Sequence, residues 1–478
     1  MKKDKSKATL KLSSSDLIKL GFPSGKPLGT ALNIIHTYYN ELGKNHQIEL
    51  LQDVLAAPDQ YQLHTTLGPL AQAILSQKEA APISLKPEKQ KYTVYGGEGI
   101  EQGALDQMEI AMRLPVTAGG ALMPDAHQGY GLPVGGVLAT HNAVIPYGVG
   151  VDIGCRMSMS LFDIHAAYLD KNREKLQKML LDNTRFGNSA FKRPMYHDIM
   201  DRPEFSEIPV VRELKDRAYQ QLGTSGGGNH FVEFGIAEIQ APENEFSLPV
   251  GKYLAILSHS GSRRLGANIA GYYTKVAMDS CRLPNEAKHL AWLGLASEAG
   301  QEYWLAMNLA GDYASACHHQ IHERLAAALG EAPLAKVENH HNFAWKEKDK
   351  SGQEVIVHRK GATPAGKGVL GIIPGTMATP GFIVRGKGET KALNSASHGA
   401  GRTMSRTQAI KTLSQPQMQK FLHKAGVDVI GSGLDEAPMA YKDIHQVMAY
   451  QQELVEVIGT FYPKIVRMNQ DKKYVEVD

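Results

Sequence analysis

The spacing of apolar and polar positions changes near residue 90. Before that point, apolar side chains recur every three or four residues, as they do in amphipathic helices. We predict helices over 28–42, 48–57 and 67–77. The stretch 82–91 contains two prolines and three lysines and has the character of a linker. We therefore assign residues 1–90 to a helical accessory region with its linker, and residues 91–478 to a second domain.

The second domain combines helical patterns with short runs of valine, isoleucine, leucine and glycine that are typical of strands. Helices are predicted over 101–113, 169–181, 212–222, 296–328, 407–425 and 444–458, with a polar tail from Pro463 onward. Strands are predicted before Cys155, over 254–258, and around Val337 and Val355. The elements interleave without a regular period, and we find no internal repeat. The predicted fold class is an irregular α+β fold with an N-terminal helical extension.

The composition favours a protein that neither spans a membrane nor depends on disulfides. No window of eighteen apolar residues occurs, so we expect no membrane span. The basic start over 1–7 lacks the apolar run of a secretory signal. Three scattered cysteines, Cys155, Cys281 and Cys317, are too few for a disulfide framework, so we expect a cytoplasmic protein. The net charge of +3 permits nucleic acid as a partner without arguing for it.

A glycine-rich segment ends in an aspartate and a cysteine three residues apart, Asp152 and Cys155. Aspartate is almost never fully buried without a partner. A thiolate is a nucleophile, a metal ligand or a redox centre, whereas a neutral thiol is a small apolar side chain. From this segment alone, two interpretations are equally good. Asp152 caps a turn and Cys155 fills a gap in the core, or the two residues form a functional pair.

Histidines in glycine-, serine- or asparagine-rich settings recur along the chain. They are His127, His230, His259, the pair His340 and His341, and His398. A single histidine of this kind is more often a hydrogen-bonded structural residue than a ligand. Several of them, together with a carboxylate and a thiolate, suit a borderline metal such as zinc, manganese, iron or cobalt. These ligands lie far apart in sequence, so their spacing leaves the metal site open.

Three segments bring arginine or lysine together with histidine, serine and glycine: 258–264, 358–363 and 397–402. Arginine can bind phosphate through two hydrogen bonds, and glycine amides can complete an anion-binding concavity. Each segment alone is also typical of a solvated charged loop. Because three of them accompany metal-type histidines, they indicate phosphoryl chemistry. The glycine runs fit neither a Walker loop nor a dinucleotide-binding fingerprint.

Six motifs, taken in order, resemble the motif series of the RtcB family of RNA ligases. They are Asp152-Ile153-Gly154-Cys155, Gly228-Asn229-His230-Phe231-Val232-Glu233, His259-Ser260-Gly261-Ser262-Arg263, His341-Asn342, His358-Arg359-Lys360-Gly361-Ala362-Thr363 and Ser397-His398-Gly399-Ala400-Gly401-Arg402. The resemblance extends from about Tyr92 to the end of the sequence. It implies that residues 91–478 form an RtcB-like catalytic domain.

The resemblance also implies a site with two manganese ions and GTP as the energy source. The implied ligands are Cys155, which would bridge both ions, Asp152 with His230 on one ion, and His259 with His341 on the other. His398 would attack the α-phosphate of GTP and form a histidine–GMP adduct. The GMP would pass to an RNA 3′-phosphate, which a 5′-hydroxyl end then attacks. A 2′,3′-cyclic phosphate would first be opened by hydrolysis.

Further residues would hold the nucleotide and the phosphates if the resemblance holds. The implied nucleotide contacts are Asn229, Glu233, Asn342, Gly399, Ala400, Gly401 and Tyr441. The implied phosphate and RNA contacts are Arg263, Lys360 and Arg402. A role in RNA repair or tRNA splicing, and an activating protein partner, are expectations of the same kind.

Three positions depart from the family pattern. Arg156 and Arg264 stand where glycine is common, and Arg156 could add a phosphate contact or alter access. Met468 lies near the expected place of a lysine that contacts guanine, which makes guanine specificity less secure than the metal site.

Two alternatives to an RNA ligase stay open. A metal-dependent phosphodiesterase that opens cyclic phosphates without ligating would need the metal ligands but not His398. A non-ligating paralogue that only binds RNA ends is the other alternative, and the complete set of ligands counts against it.

Overall fold

The structure is a computed structural model that describes residues 12–22, 26–79 and 82–469. The basic start over 1–7 and the last part of the predicted polar tail lie outside the described residues. Helices and strands are both abundant, so the predicted α+β class is confirmed. None of the helices described is both long and apolar enough to cross a membrane.

The chain divides into two compact units. The smaller comprises Met1–Ser84 and Lys275–Lys288, and the larger comprises Leu85–Thr274 and His289–Asp478.

The first helices are α1 (Ser14–Lys19), α2 (Lys26–Tyr38), α3 (Lys44–Ala56) and α4 (Gly68–Glu79). The helices predicted over 28–42, 48–57 and 67–77 correspond to α2, α3 and α4 and are confirmed. Their buried apolar side chains form one cluster, which includes Leu17, Ile35, Leu51 and Leu70.

The remaining helices and the strands follow in chain order. The helices are α5 (Gln102–Ala111), α6 (Pro146–Val149), α7 (Ala167–Lys171), α8 (Arg173–Asn183), α9 (Glu204–Glu207), α10 (Pro209–Arg212), α11 (Lys215–Gln221), α12 (Arg263–Ser280), α13 (Glu298–Leu329), α14 (Arg406–Thr412), α15 (Gln415–Ala425) and α16 (Ile444–Ala449). The strands are β1 (Thr93–Val94), β2 (Thr117–His127), β3 (Val134–Thr140), β4 (Ala143–Val144), β5 (Arg156–His165), β6 (Phe231–Ile239), β7 (Gly251–Ser260), β8 (Leu293–Gly294), β9 (Pro333–His340), β10 (Asn342–Lys348), β11 (Glu354–Lys360), β12 (Ala362–Pro364), β13 (Leu370–Ile373), β14 (Gly381–Gly386), β15 (Ser395–Ser397), β16 (Asp428–Ile430) and β17 (Val455–Met468).

The main sheet of the larger unit is nearly closed on itself. Its strands follow the spatial order β13, β14, β17, β6, β7, β5 and β9, and β16 pairs with β17. The two end strands meet through Asn339 of β9 and Ile372 of β13. The Asn339 Nδ2 donates to the Ile372 carbonyl at 3.2 Å, and the Ile372 amide donates to the Asn339 Oδ1 at 2.8 Å. A second sheet has the order β1, β2, β3, β11 and β10.

Alternation along the strands decides which side chains face the site. On β7, Leu254 and Ile256 pack in a cluster with side chains of α8 and α13, whereas Ala255 and Leu257 pack in a different one. Because side chains alternate across a strand, His259 shares its face with Leu257. Both residues line the same cavity.

The register of three neighbouring strands brings their ends to one level. His259 of β7 pairs with Met157 of β5 on one side and with Phe231 of β6 on the other. Cys155 directly precedes β5 and His230 directly precedes β6. The sheet therefore gathers residues that are far apart in sequence.

The helix predicted over 444–458 is correct only in its first part. Helix α16 ends at Ala449, and β17 begins at Val455. The predicted polar tail from Pro463 is wrong over 463–468, because β17 continues to Met468. Strand β17 pairs with β14 on one edge and with β6 on the other. Its apolar residues do not alternate strictly, and such a run cannot be told from a buried helix by its periodicity.

Candidate active site

A cavity of about 770 Å³ lies in the larger unit, where the predicted motif segments converge. Its wall contains Asp152, Cys155, Asn229, His230, Glu233, His259, His341, Asn342, Lys360, His398, Gly399, Ala400, Gly401, Arg402 and Tyr441. Of the site residues predicted from the sequence, all of them described, only Arg263 is not part of this wall. One cavity thus combines the implied metal, nucleotide and phosphate residues.

Sulfur and imidazole nitrogen atoms meet at the floor of the cavity. The Cys155 Sγ lies 3.4 Å from the His230 Nε2 and 3.2 Å from the His259 Nε2. The His259 Nε2 is in turn 3.2 Å from the His341 Nε2. All four side chains are at least nine-tenths buried. We call Asp152 and these four residues the ligand cluster.

Two imidazoles of the ligand cluster, those of His259 and His341, are neutral, and the ring of His259 is oriented by a hydrogen bond. The His259 Nδ1 donates to the Asn229 carbonyl at 3.1 Å, which leaves the lone pair of Nε2 directed at Cys155. Burial lowers the pKa of His259 to about 3 and that of His341 well below its ordinary value. The His341 Nδ1 is buried and has no hydrogen-bond partner among the described residues. Nitrogen lone pairs aimed at one another and at a thiol are arranged as they would be around a metal.

Asp152 completes the cluster from the turn before Cys155. Its Oδ1 accepts from the Ser262 amide at 3.0 Å, and its Oδ2 lies 3.1 Å from the His230 Nε2. Burial alone would raise the pKa of this carboxyl, but the hydrogen bond and charge of His230 outweigh burial and hold the pKa below its ordinary value. Gly261 lies so close that a Cβ there would overlap the carboxylate. The cluster therefore presents a carboxylate, a thiol and three imidazoles, a donor set that suits a borderline divalent metal.

His398 stands beside the ligand cluster and is held by a buried aspartate. The His398 Nδ1 donates to the Asp125 Oδ2 at 2.7 Å, and the amides of His398 and Gly399 donate to the same oxygen at 3.0 and 3.3 Å. The ring centroids of His398 and His341 are 5.0 Å apart. With Nδ1 protonated, the lone pair of Nε2 is available as a nucleophile.

The main chain on both sides of Asp125 is held by Lys442. The Lys442 Nζ donates to the carbonyls of Pro124 and Ala126, at 3.1 and 2.7 Å, on either side of Asp125. Burial alone would raise the pKa of Asp125, but the hydrogen bond to His398 and the charges of His398 and Lys442 hold it below its ordinary value. Sequence reasoning gave neither Asp125 nor Lys442 a role. The one available signal was an aspartate next to a glycine-rich segment that also contains His127.

If His398 is the nucleophile that the resemblance implies, replacement of Asp125 by asparagine is expected to slow its attack about 100-fold or more. The amide keeps the size of the side chain but removes the negative charge that balances positive charge on the imidazole. The rate of histidine–nucleotide adduct formation measures the effect, with the metal content of the variant as control. A variant that forms the adduct at the wild-type rate would contradict this role of Asp125.

A second group of charged residues forms the wall next to His398. The Arg402 Nη1 donates to the Tyr441 Oη at 3.2 Å and lies 3.5 Å from the Glu436 Oε2. Tyr441 and Arg406 also contact the Glu436 carboxylate. Sequence reasoning missed Glu436 and Arg406, which lie in segments without a recognisable motif. Glu233 lines the same cavity, and burial raises the pKa of its carboxyl well above the ordinary value.

Three arginines that the sequence singled out do not line the cavity. The Arg263 guanidinium is buried and donates to the Gly187 carbonyl at 2.6 Å and to the Thr224 Oγ1 at 3.2 Å. Its predicted phosphate contact stays a prediction, which would require the side chain to leave these partners. The Arg156 guanidinium donates to the Gly311 carbonyl at 2.8 Å and lies 3.2 Å from Glu338. Arg264 is not part of the cavity wall either.

Arg156 faces away because β5 begins there, and its side chain alternates with Cys155 and Met157, which both line the cavity. The structure therefore gives Arg156 a packing role between β5 and α13. Met468, at the end of β17, is buried and does line the cavity. An apolar side chain thus lines the cavity at the position for which the resemblance implies a lysine.

Comparison with known proteins identifies relatives that match most of the chain. A family model described as tRNA-splicing ligase RtcB matches residues 107–204 and 202–469. The RNA-splicing ligase RtcB of Escherichia coli K12 is 33% identical over 398 residues, which cover 76% of this chain and 93% of the relative. The tRNA-splicing ligase RtcB of Thermococcus kodakarensis is 28% identical over 424 residues, 74% of this chain and 87% of the relative. An RNA-splicing ligase RtcB of Mycobacterium tuberculosis is 29% identical over 419 residues, 71% of this chain and 94% of the relative.

Proposed function

The chain belongs to the RtcB family and is an RNA ligase. From this premise we propose that it uses GTP to join RNA 3′-phosphate or 2′,3′-cyclic phosphate ends to 5′-hydroxyl ends. The observation that carries the proposal is the position of His398. Its Nδ1 is bound to the buried Asp125, and its ring lies beside His341 of the ligand cluster. A nucleophilic imidazole next to metal-type ligands suits transfer of a nucleotidyl group.

The proposed reaction has three steps after any cyclic phosphate has been opened by water. The His398 Nε2 attacks the α-phosphorus of GTP, a P–N bond forms, and pyrophosphate leaves. An oxygen of the RNA 3′-phosphate then attacks the same phosphorus, which breaks the P–N bond and regenerates the imidazole. The RNA 5′-hydroxyl finally attacks the activated 3′-phosphate, loses its proton, and displaces GMP to leave a phosphodiester.

The chain's residues would control charge during nucleotidyl transfer. Asp125 accepts from Nδ1 and so balances the positive charge that develops on His398 when Nε2 is phosphorylated. Lys442 holds the main chain on both sides of Asp125, which keeps the carboxylate in place. His398 and Asp125 therefore act as a pair whose members have different roles, nucleophile and orienting base.

The ligand cluster is the proposed site of two manganese ions, with Cys155 shared between them, Asp152 and His230 on one, and His259 and His341 on the other. When bound, the ions would neutralise charge on the phosphoryl groups and orient the reacting oxygens. The donor set supports this proposal, since neutral imidazoles offer nitrogen lone pairs and a bound cation would deprotonate the buried thiol.

The nucleotide would occupy the wall formed by the implied nucleotide residues and Met468. The Glu233 carboxyl is buried in this wall, and the edge of a guanine offers several hydrogen bonds to such a group. Met468 would contribute packing rather than a hydrogen bond. We propose that Arg402 and Lys360 contact phosphates, because both are cations in the same wall as His398.

The decisive experiment uses the full chain with manganese and GTP labelled at the α-phosphate. The expected result is an acid-labile protein adduct, which RNA with a 3′-phosphate end discharges by taking up the label. Labelled GMP then appears with the ligated product when RNA with a 5′-hydroxyl end is added. Opening of a cyclic phosphate without any adduct would favour the phosphodiesterase alternative. Binding of RNA ends without either reaction would favour the non-ligating paralogue.

The remaining expectations concern the cellular context. We propose that the protein works in the cytoplasm in RNA repair or tRNA splicing. All three cysteines are buried, and none forms a disulfide in the part of the chain that the structure describes, which is consistent with a reducing compartment. An activating protein partner stays a prediction, which multiple-turnover ligation by the purified chain alone would contradict.

A further inference from the structure

The loop between β2 and β3, residues 128–133, places an aromatic ring at the cavity wall. Tyr130 is 61% exposed, and it lines the cavity that contains His398. The other large apolar side chains that are exposed in the described ranges lie outside this wall. Exposed aromatic surface beside a reactive group is typical of a ligand-binding site.

The main chain of this loop is fixed by hydrogen bonds. The Gly129 amide donates to the Gln107 Oε1 at 3.0 Å, and the Gln107 Nε2 donates to the Gly129 carbonyl at 2.6 Å. The Lys360 Nζ donates to the Tyr130 carbonyl, also at 2.6 Å. Because the main chain is fixed, the exposed side chain is presented in a defined place, which lowers the entropic cost of binding a ligand to it.

The ring of Tyr130 has two aromatic neighbours but no parallel one. Its centroid lies 6.4 Å from that of Tyr147 at an interplanar angle of 87°, and 6.3 Å from that of His289 at 70°. None of the ring contacts of Tyr130 in the described residues is a parallel stack. The neighbours therefore position the ring and leave it available for stacking by a planar ligand.

A cation and the nucleophile lie next to this ring. Lys360 contacts the Tyr130 carbonyl, and its Nζ lies 5.0 Å from the centroid of the Tyr147 ring. The next residue, Gly361, is so close to His398 that a Cβ there would come within 3.2 Å of the His398 Cε1. An aromatic surface, a cation and a nucleophile thus follow one another along the wall.

We propose that Tyr130 is the stacking platform for the unpaired nucleobase of an RNA end, with Lys360 at the phosphate of the same nucleotide. The inference rests on the proposed function, which supplies the RNA. Unpaired RNA bases are commonly held by stacking on aromatic side chains, and such binding tolerates any base because each has a π-face. The protein would then select single-stranded ends and accept them with little regard to sequence.

The first test compares Tyr130→Ala with Tyr130→Phe in binding of a fluorescent single-stranded RNA with a 3′-phosphate or a 5′-hydroxyl end. Alanine is expected to weaken binding about 5- to 150-fold for one of these ends, the range that corresponds to loss of one base–aromatic stack. Phenylalanine keeps the ring and is expected to bind like the wild type. Tyr38→Ala is the matched control, because Tyr38 is 65% exposed and belongs to the smaller unit.

The second test replaces the terminal nucleotide of the affected end by an abasic one. If the ring stacks on that base, Tyr130→Ala and the wild type should bind the abasic RNA with equal affinity. The loss of affinity from removing the ring and the loss from removing the base then do not add. The proposal is overturned if Tyr130→Ala weakens binding of normal and abasic RNA by the same factor. It is also overturned if Tyr130→Ala binds normal RNA as tightly as the wild type does.

Adduct formation with labelled GTP, measured without RNA, separates this inference from the proposed function. It is expected to be the same in Tyr130→Ala and wild type, because the ring is assigned to RNA. A raised KM for GTP in the variant would overturn the inference and assign the ring to the nucleotide. If the wild type forms no adduct, the proposed function fails, yet the two RNA-binding tests still decide the role of Tyr130.

Discussion

Replacement of His398 by alanine is expected to abolish the labelled GMP adduct and RNA ligation, a loss of at least about 1,000-fold. No other described imidazole combines a carboxylate on Nδ1 with a place in the cavity wall, so no neighbour can replace its Nε2. The measurement is the amount of acid-labile label on the protein after incubation with manganese and α-labelled GTP. His423→Ala is the control, because His423 lies exposed on α15 and outside the cavity.

The same variant separates two parts of the site. His398 is not one of the five residues of the ligand cluster, so the variant should keep its manganese content. It should also still open a 2′,3′-cyclic phosphate, since that hydrolysis needs no nucleotide adduct. Loss of metal together with the adduct would place His398 in the metal site and remove the basis for calling it a nucleophile. A full adduct on the variant would assign the nucleophile to another residue.

The chemistry of the ligand cluster could be predicted from the sequence, but its geometry could not. The types of residue at Cys155, His230 and His259 indicate a borderline metal. Their convergence depends on the register that pairs β7 with both β5 and β6. Register is set by contacts between strands that a local pattern does not contain, since His259 pairs with Phe231, 28 residues away, and with Met157, 102 residues away.

Asp125 shows the limit of motif-based reasoning most clearly. It lies on β2 of the second sheet, and its partner His398 is 273 residues away. A buried aspartate in a strand has no local signature that separates an orienting base from a structural turn residue. Lys442 is similar, because its role follows only from the two carbonyls that its Nζ contacts.

The error at β17 has a different cause. The run that contains Val455, Ile458, Phe461 and Ile465 is apolar enough to suggest a buried helix, yet it pairs with strands on both edges. A strand that is largely buried on both faces loses the alternation of a strand with one face in solvent. The consequence reaches the site, because the end of β17 brings Met468 into the cavity wall.

Replacement of Cys155 by alanine is expected to weaken manganese binding at least about 100-fold, since loss even of groups that only support metal ligands costs about 10- to 100-fold. The Sγ lies 3.4 Å from the His230 Nε2 and 3.2 Å from the His259 Nε2, so its removal takes away the proposed shared ligand. Adduct formation and cyclic-phosphate opening should then fall together. The metal content after dialysis, and its titration with manganese, are the direct measurements.

Cys317→Ala is the matched control for this experiment. Cys317 is also fully buried, but it lies on α13 outside the cavity wall, and burial raises the pKa of its thiol to about 11. Its loss should therefore affect stability and leave the metal content unchanged. Cys155→Ser gives a finer test, because a hydroxyl does not deprotonate as a thiol does and so should restore little of the affinity. If Cys155→Ala retains the metal content of the wild type, the thiolate is not a ligand, and the cluster must hold its ions through Asp152 and the three imidazoles alone.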